Sequence, residues 1–269
     1  MTVNERRMIV EPWARGLVEE ELQLVVELND DQSRPSMYDL RVGPAEAPVM
    51  AIECVGAVDP VRVETWNIGP AKGPLTLELD GDWIVCLLLG KARIKSLDKR
   101  LEPILSQCEE RGLVSNLRVD WTLKRNQPEL FAELTTLGVE WASCYRSPGH
   151  GKVYLTVQGI GGCVDTNGST IAAWIGKFLL APERADVLSK LARSGAAERH
   201  VFVVVDFGGA TFPVESYLAG PIDALPAVAP ILPSTITGVW LTSTSSGIGV
   251  RWTGTTWKRF RAVWREGTA

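Results

Sequence analysis

The chain has few of the residues from which metal centres and covalent active sites are usually built. It holds two histidines, His150 and His200, so a histidine-rich metal site or a catalytic triad has little material. Its five cysteines are odd in number, and no two have the spacing of metal ligands. This pattern argues against a disulfide framework or a zinc finger, and we expect most of the cysteines to be small core residues.

Long apolar segments are also missing. No run reaches the roughly 18 residues that a membrane-spanning helix needs, and the strongest one, Trp83 to Leu89, is typical of a buried strand. The N-terminus is charged and shows neither an apolar signal core nor a small-residue cleavage site. These absences predict a cytoplasmic protein with no membrane partner.

The chain also lacks an excess of positive charge. Its net charge of −4 argues against broad nucleic-acid binding, because a basic field normally supplies non-specific affinity, although a local basic groove is still compatible with it. Its ten tryptophans are more than usual for 269 residues. They are expected to anchor the core or, where exposed, to form a contact surface for a protein partner or a second copy of the chain.

What is present predicts one α/β domain over residues 1–269. The first sixty residues show a helix beginning near 11–21 and then strands at 22–28, 37–42 and 49–56, which we expect to be antiparallel. A helix at 183–194 and a buried strand at 200–206 follow later, and the chain ends in a β-hairpin. We expect a mixed sheet with its core in about 11–60 and 166–269, and an inserted region at about 61–165.

Two acidic residues on the second and third strands form the most promising site. The segments 37–42 and 49–56 flank a compact loop, and a hairpin centred near residue 46 places Asp39 directly opposite Glu53. Directly opposed residues share one face of the sheet, with Cβ atoms about 5 Å apart. Two such carboxylates repel each other unless a cation lies between them, and hard oxygen ligands suit Mg²⁺ or Mn²⁺. Such an ion could activate water against a phosphodiester.

The order helix–strand–strand–strand resembles the PD-(D/E)xK nuclease superfamily. The matching residues are Pro35-Ser36-Met37-Tyr38-Asp39 and then Glu53-Cys54-Val55. The resemblance covers about residues 11–56, with a continuation at the helix and strand of 183–206. It implies a restriction-endonuclease-like core, hydrolysis of nucleic-acid phosphodiester bonds, and Asp39 and Glu53 as catalytic residues that bind Mg²⁺ or Mn²⁺.

The chain departs from that superfamily at the motif lysine. This lysine, which stabilises charge at the phosphate or positions water, normally stands two residues after the glutamate, where this chain has Val55. We expect Lys190, which borders the apolar stripe of helix 183–194, to be the substitute, with Lys177 as the second choice. The first helix offers Glu19, Glu20 and Glu21 for a third acidic ligand, and we choose Glu20.

Two other interpretations of this region stay open. One face of an antiparallel sheet often meets water, and Arg41, on the same face as Asp39 and Glu53, could simply neutralise both acids. The missing lysine, the acidic net charge and the many tryptophans also fit a non-catalytic binding or regulatory protein on an inactive nuclease-like scaffold.

A second candidate feature is the C-terminal segment 251–265. It interleaves the basic residues Arg251, Lys258, Arg259, Arg261 and Arg265 with aromatic ones. Basic groups that pair with phosphates, next to rings that stack on bases, predict a nucleic-acid-binding edge. The alternative is a closing hairpin with a buried aromatic face and a solvated basic face.

Overall fold

The computed structural model describes residues 3–30, 36–90, 97–157, 159, 165, 167–206, 208–220, 224–244 and 246–263. The α-helices, in chain order, are α1 (Val3–Leu22), α2 (Pro60–Ile68), α3 (Leu97–Glu110), α4 (Trp121–Asn126), α5 (Pro128–Leu137), α6 (Ser169–Leu179), α7 (Ala185–Arg193) and α8 (Phe212–Ala219). The strands are β1 (Val26–Leu28), β2 (Leu40–Val42), β3 (Met50–Ala57), β4 (Leu75–Thr76), β5 (Asp82–Leu87), β6 (Leu117–Arg118), β7 (Val139–Arg146), β8 (Lys152–Val157), β9 (Glu198–Val205), β10 (Gly238–Ser243), β11 (Ile248–Trp252) and β12 (Trp257–Arg261).

These elements form two mixed sheets with helices packed against them, which confirms the α/β class. The chain divides into two compact units, the first made of residues 1–58 and 162–269 and the second of residues 59–161. The sequence predicted one domain with an inserted region at about 61–165. The second unit corresponds to that insertion and has a sheet and a hydrophobic core of its own. None of the helices among the described residues is both long and apolar enough to cross a membrane.

The first unit is built on a seven-stranded sheet of order β1-β2-β3-β9-β10-β11-β12. Strands β1, β2 and β3 are antiparallel neighbours, as the sequence predicted. Strand β9 lies parallel to both β3 and β10 in the middle of the sheet. The predicted C-terminal hairpin is present as the antiparallel pair β11–β12 at the edge.

Helices cover both faces of this sheet. On one face α6, α7 and α8 pack over alternate residues of the central strands, such as Ala51, Val55 and Val203. On the other face α1 packs over the residues in between, such as Ile52 and Phe202. A parallel strand that is buried on both sides must be apolar nearly throughout, which explains the valine-rich sequence of β9.

Helix α1 corrects two expectations about the N-terminal region. It begins at Val3, about eight residues before the start expected near residue 11. It also continues to Leu22, so the strand predicted at 22–28 is limited to residues 26–28. Leu22 and Leu24 have the alternating spacing of a strand. However, Leu22 is the last residue of α1, and Gln23, with a left-handed φ of 55°, follows the end of the helix.

The second unit contains a five-stranded sheet of order β4-β8-β5-β7-β6, in which β5 and β8 are parallel. Apolar residues of α3, α4 and α5 pack on one face of it and form a separate core. Burial raises the pKa of the Cys86 thiol to about 12 and that of Cys108 to about 11, so both behave as inert core residues. Cys54 and Cys144 are partly buried and pack against the two cores, which agrees with the expectation that most of the cysteines are small core residues, while Cys163 lies outside the described residues.

Glycine at position 238 is required by a close approach between two central strands. A Cβ atom there would lie 2.4 Å from Nε2 of His200 on β9, whereas a Cβ atom at Gly16 on α1 would meet nothing within 4 Å. We expect Gly238→Ala to lower the free energy of unfolding by about 1–3 kcal/mol, the usual cost of overpacking. Gly16→Ala should raise it by about 0.5–1 kcal/mol through helix propensity.

Chemical denaturation of both variants measures these changes. Equal stability of Gly238→Ala and the unsubstituted protein would contradict the packing of His200 against β10.

Candidate functional site

The register of the β2–β3 hairpin places the two predicted acids opposite each other. The ladder pairs Leu40 with Ile52, Arg41 with Ala51 and Val42 with Met50. Continued by one residue beyond β2, this register sets Asp39 against Glu53, as expected for a hairpin centred near residue 46. Both residues lie on the face that α6, α7 and α8 cover, because they alternate with the residues that face α1.

The acids are buried, which corrects the interpretation of a water-exposed face. Asp39 and Glu53 are only 1% and 4% exposed. Arg41 does not neutralise them as that interpretation required, since it forms its ion pair with Glu27, directly opposite on β1. Buried carboxylates without compensation are unfavourable, so other groups must balance their charge.

Lys190 supplies that compensation. Helix α7 lies on the sheet through Val187 and Leu191, and Lys190, at the border of this stripe, points toward β3. Its Nζ atom donates a hydrogen bond to Oε1 of Glu53 at 2.7 Å. The two side chains are 10% and 6% exposed, so this is a buried, charge-assisted ion pair.

The pKa of Lys190 is set by two opposing effects. Burial lowers it, while the hydrogen bond and the charge of Glu53 and the charges of Asp39 and Asp186 raise it. The attractive effects prevail, and the pKa lies above the ordinary value of 10.5. Lys190 is therefore a permanent cation at neutral pH and can stabilise negative charge, but it is not a general base.

Asp39 is held in place by the backbone of the neighbouring strand. Its Oδ2 atom accepts a hydrogen bond from the N–H of Cys54 at 2.7 Å. This contact directs the carboxylate across the hairpin toward β3, next to Glu53. Of the predicted motif Pro35–Asp39, Pro35 lies outside the described residues.

One further acidic residue of the cluster was not predicted from the sequence. Asp186, one turn before Lys190 on α7, lies with its Oδ2 atom 3.5 Å from Nζ of Lys190. Its side chain is 66% exposed, so Lys190 has one acidic partner at the surface and one in the interior. The signal was available in the sequence, because an aspartate four residues before a lysine on a helix predicts such a pair.

The structure does not bring the other two predicted residues to this cluster. Lys177 is exposed on α6. Glu20 is exposed on α1, whose buried residues pack on the opposite face of the sheet. The expectation of Glu20 as a third ligand therefore needs correction, because the central sheet separates it from Asp39 and Glu53.

The donor set fits a hard divalent cation in composition. Mg²⁺ is commonly bound by one or two carboxylates, with water and phosphate oxygens as the remaining ligands. Asp39 and Glu53 are two such carboxylates on one face, and a cation, the ammonium of Lys190, already lies at Glu53. A site made of three or more His, Cys, Asp or Glu residues is not found within the described residues, so these two acids would have to suffice.

The four described basic residues of the C-terminal segment do not form one surface. Arg251 pairs directly with Lys258 across the β11–β12 ladder and shares its face. There it contacts Glu21 of α1 at 2.9 Å and lies 4.8 Å above the ring of Trp240. Strand alternation places Arg259 and Arg261 on the other face, exposed to solvent.

The expected aromatic face is divided in the same way. Trp257 packs on the face of α6–α8 and Phe260 on the face of α1. Residues 251–263 therefore do not form the single solvated basic face of the alternative interpretation either. Trp264 and Arg265 lie outside the described residues. Charged residues on an edge strand also prevent edge-to-edge association, and β12 has this position in the sheet.

His200 is a buried histidine with partners on both nitrogens. Nδ1 accepts a hydrogen bond from Nε1 of Trp240 at 3.2 Å, and Nε2 lies 3.3 Å from Oε2 of Glu198. Burial and the charge of Arg251 lower its pKa to about 4. The Glu198 carboxylate would raise the pKa, but that residue is half-exposed and its charge is screened by solvent.

Comparisons of this chain with protein-family models, with curated proteins and with solved structures gave no match. The likeness to the PD-(D/E)xK superfamily therefore depends on the residues and geometry described above.

The Glu53–Lys190 pair gives a prediction about stability. Lys190→Met should lower the free energy of unfolding by about 3–5 kcal/mol, because it removes the cation that donates a hydrogen bond to the buried carboxylate of Glu53. Lys177→Met, at an exposed position of α6, should change it by less than about 0.5 kcal/mol. In a double-mutant cycle, Glu53→Gln should recover part of the loss caused by Lys190→Met. Strictly additive effects, measured by denaturant titration, would contradict the ion pair.

His200 gives a prediction about pH. Its pKa is about 4 in the folded protein and near 6.5 when unfolded, so the unfolded chain binds more protons between these values. Stability due to neutral His200 is complete above pH 6.5 and is lost as the pH falls to 4, by up to roughly 1.4 kcal/mol per pH unit. His200→Gln should remove this part of the slope. An unchanged slope between pH 6.5 and 4 in that variant would contradict the buried, neutral imidazole.

Proposed function

We propose that this protein is a metal-dependent phosphodiesterase, a nuclease of the PD-(D/E)xK type, with its site at Asp39, Glu53 and Lys190. The observation that carries the proposal is the hydrogen bond from Lys190 to Glu53 at 2.7 Å. The resemblance requires a lysine at the glutamate, and the chain has Val55 at the usual position. Lys190 reaches the same carboxylate from a helix packed on the sheet.

The order of elements around the site supports the proposal. Helix α1 and strands β1, β2 and β3 are followed, after the second unit, by α6, by α7 and by β9, which lies parallel to β3. The helix before the three strands packs on one face of the sheet, and α6 and α7 pack on the other. Apart from the second unit and α6, this is the helix–three strands–helix–strand order that a restriction-endonuclease-like core would need.

Each residue of the cluster has a separate task in this proposal. Asp39 and Glu53 would hold Mg²⁺ or Mn²⁺, which supplies water activation and neutralises phosphate charge when bound. The N–H of Cys54 keeps the Asp39 carboxylate oriented. Lys190 provides a fixed positive charge for the developing charge on the phosphate, and burial strengthens this interaction because bulk water is excluded.

Nucleic acid is the proposed substrate. The exposed Arg259 and Arg261 share one face of the edge hairpin, on the same side of the sheet as the acid pair. Basic residues so placed could contact phosphates outside the site and orient the strand. Arg251, which is paired with Glu21, is less suited to that role.

A second candidate function is favoured by the same ion pair. Glu53 is already neutralised by Lys190, and Asp39 already accepts a backbone hydrogen bond, as in a cluster whose task is structural. The protein would then be a binding or regulatory protein on an inactive nuclease-like scaffold. The two functions differ in whether a divalent ion binds at the pair.

Nuclease assays on plasmid DNA, single-stranded DNA and RNA, with Mg²⁺ or Mn²⁺, test the proposal. We expect cleavage that requires the divalent ion and that falls by about two orders of magnitude or more in Asp39→Asn and in Glu53→Gln, because each loses a ligand. Glu27→Gln is the matched control, since Glu27 lies on the neighbouring strand and pairs with Arg41. It should keep full activity.

Circular dichroism must also show that the two site variants, Asp39→Asn and Glu53→Gln, are folded. Cleavage that survives both site substitutions would refute the assignment. If no cleavage and no binding of Mn²⁺ are found while nucleic acid still binds, the non-catalytic function is supported instead.

A further inference from the structure

The second unit exposes a tryptophan ring to solvent. Trp121, the first residue of α4, is 71% exposed, whereas the other tryptophans whose burial the structure describes are buried or half-buried. Helix α4 is anchored in the core through Leu123, so the core does not need the ring of Trp121. Aromatic rings bury a large area when a partner covers them, and an exposed tryptophan is therefore typical of a contact surface.

A groove of about 370 Å³ lies beside this ring, between β6 and α4. We call it the α4 groove. Its buried lining residues are Leu117 and Leu123, and its exposed ones carry hydroxyl or amide groups: Ser115, Asn116, Thr122 and Asn126. The side chains of these four polar residues make no hydrogen bond to another described residue, so their donors and acceptors are available to a ligand.

Basic side chains without acidic partners adjoin the groove. Residues 115–127 include three basic residues and one acidic residue, although the net charge of the chain is −4. Arg118, on the edge strand β6, lines the groove, and Arg125 is exposed on α4. Within the described part of the chain neither of them forms an ion pair. The acid, Asp120, caps α4 by accepting two of its first backbone N–H groups at 2.9 and 3.2 Å.

The spacing along α4 connects the ring with the groove. Lys124 and Arg125 follow Trp121 by three and four residues, so these side chains share the outer face of the helix. Arg125 also follows Thr122, which lines the groove, by three residues. A ligand that crosses α4 would therefore meet the indole ring, then a guanidinium group and then the polar groove.

We infer that Trp121 and the α4 groove bind single-stranded nucleic acid. An unpaired base has an apolar face for the indole ring and a polar edge for hydroxyl and amide groups, and its phosphates suit Arg118 and Arg125. A duplex fits less well, because its bases are stacked on one another and present no free face. The unpaired cations also favour a polyanion over an apolar protein surface.

This inference goes beyond the proposed function. It concerns the second unit, and it holds whether the protein cleaves nucleic acid or only binds it. The local excess of positive charge also explains how a chain with a negative net charge can have a nucleic-acid surface.

Fluorescence anisotropy of labelled oligonucleotides, measured without divalent ions so that no cleavage occurs, tests this inference. The protein should bind an oligo(dT) strand of about 15 nucleotides at least about tenfold more tightly than a duplex of the same length. Trp121→Ala should weaken single-strand binding by about five- to 150-fold through the loss of one stacked base, and Trp121→Phe should restore most of it. Tyr154→Ala is the matched control, since this ring is 44% exposed on β8, which β5 and β7 separate from β6. It should bind as the unsubstituted protein does.

The salt dependence separates phosphate contacts from stacking. Arg118→Gln and Arg125→Gln should each weaken binding and reduce the slope of log affinity against log salt by about 0.7. Trp121→Ala should leave that slope unchanged. Lys99→Gln, which removes an exposed cation in the first turn of α3, is the control for a loss of charge and should change neither quantity.

The outcomes distinguish this inference from the proposed function. The inference is overturned if the protein binds no single strand, if it binds the duplex equally well, or if Trp121→Ala, folded by circular dichroism, binds as the unsubstituted protein does. Trp121-dependent binding without metal-dependent cleavage would support the inference and refute the nuclease. Cleavage that depends on Asp39 and Glu53, with binding that is unaffected by Trp121→Ala, would do the reverse.

Discussion

The ion pair between Glu53 and Lys190 is the interaction on which the organisation of the first unit depends. A carboxylate buried in the middle of β3, next to Val201 of the parallel strand β9, needs a compensating cation, and Lys190 reaches it from the helix above. That requirement constrains α7, because Lys190 must lie at the border of the stripe formed by Val187 and Leu191. The sheet, the helix and the candidate site are thus linked by one contact.

The same pair gives the site two alternative uses. As a permanent structural pair it would contribute little net stability, since the desolvation of both ions offsets their attraction. Its presence in the interior is easier to understand if the acids have a task that an apolar pair could not perform. Binding of a divalent cation by Asp39 and Glu53 would be such a task. The structural interpretation and the catalytic one therefore differ in whether a divalent ion binds at the acid pair.

Local sequence patterns predicted the β2–β3 hairpin and its register well. The turn residues between 42 and 49 and the alternating flanks were enough to centre the loop and to set Asp39 against Glu53, because a hairpin register follows from loop length. The apolar stripe of α7 was enough to select Lys190 over Lys177.

The role of Glu20 could not be judged in this way, because the sequence does not tell on which face of a sheet a helix packs. The division of the basic residues from Arg251 to Arg261 between the two faces of the sheet was also missed. Neighbouring residues along a strand point alternately to opposite sides, so basic and aromatic residues that are close in sequence do not share a face.

By itself the sequence determined the α/β class, the antiparallel start of the sheet, the C-terminal hairpin and the pairing of the two acids. These depend on periodicity, turns and register, which act over a few residues. Only the tertiary structure decided that the acids are buried and that Arg41 forms its ion pair with Glu27. It also decided that Lys190 contacts Glu53, from which it is separated by 137 positions in the chain. Such contacts depend on how helices cover the two faces of the sheet, and that choice is made by the packing of the whole core.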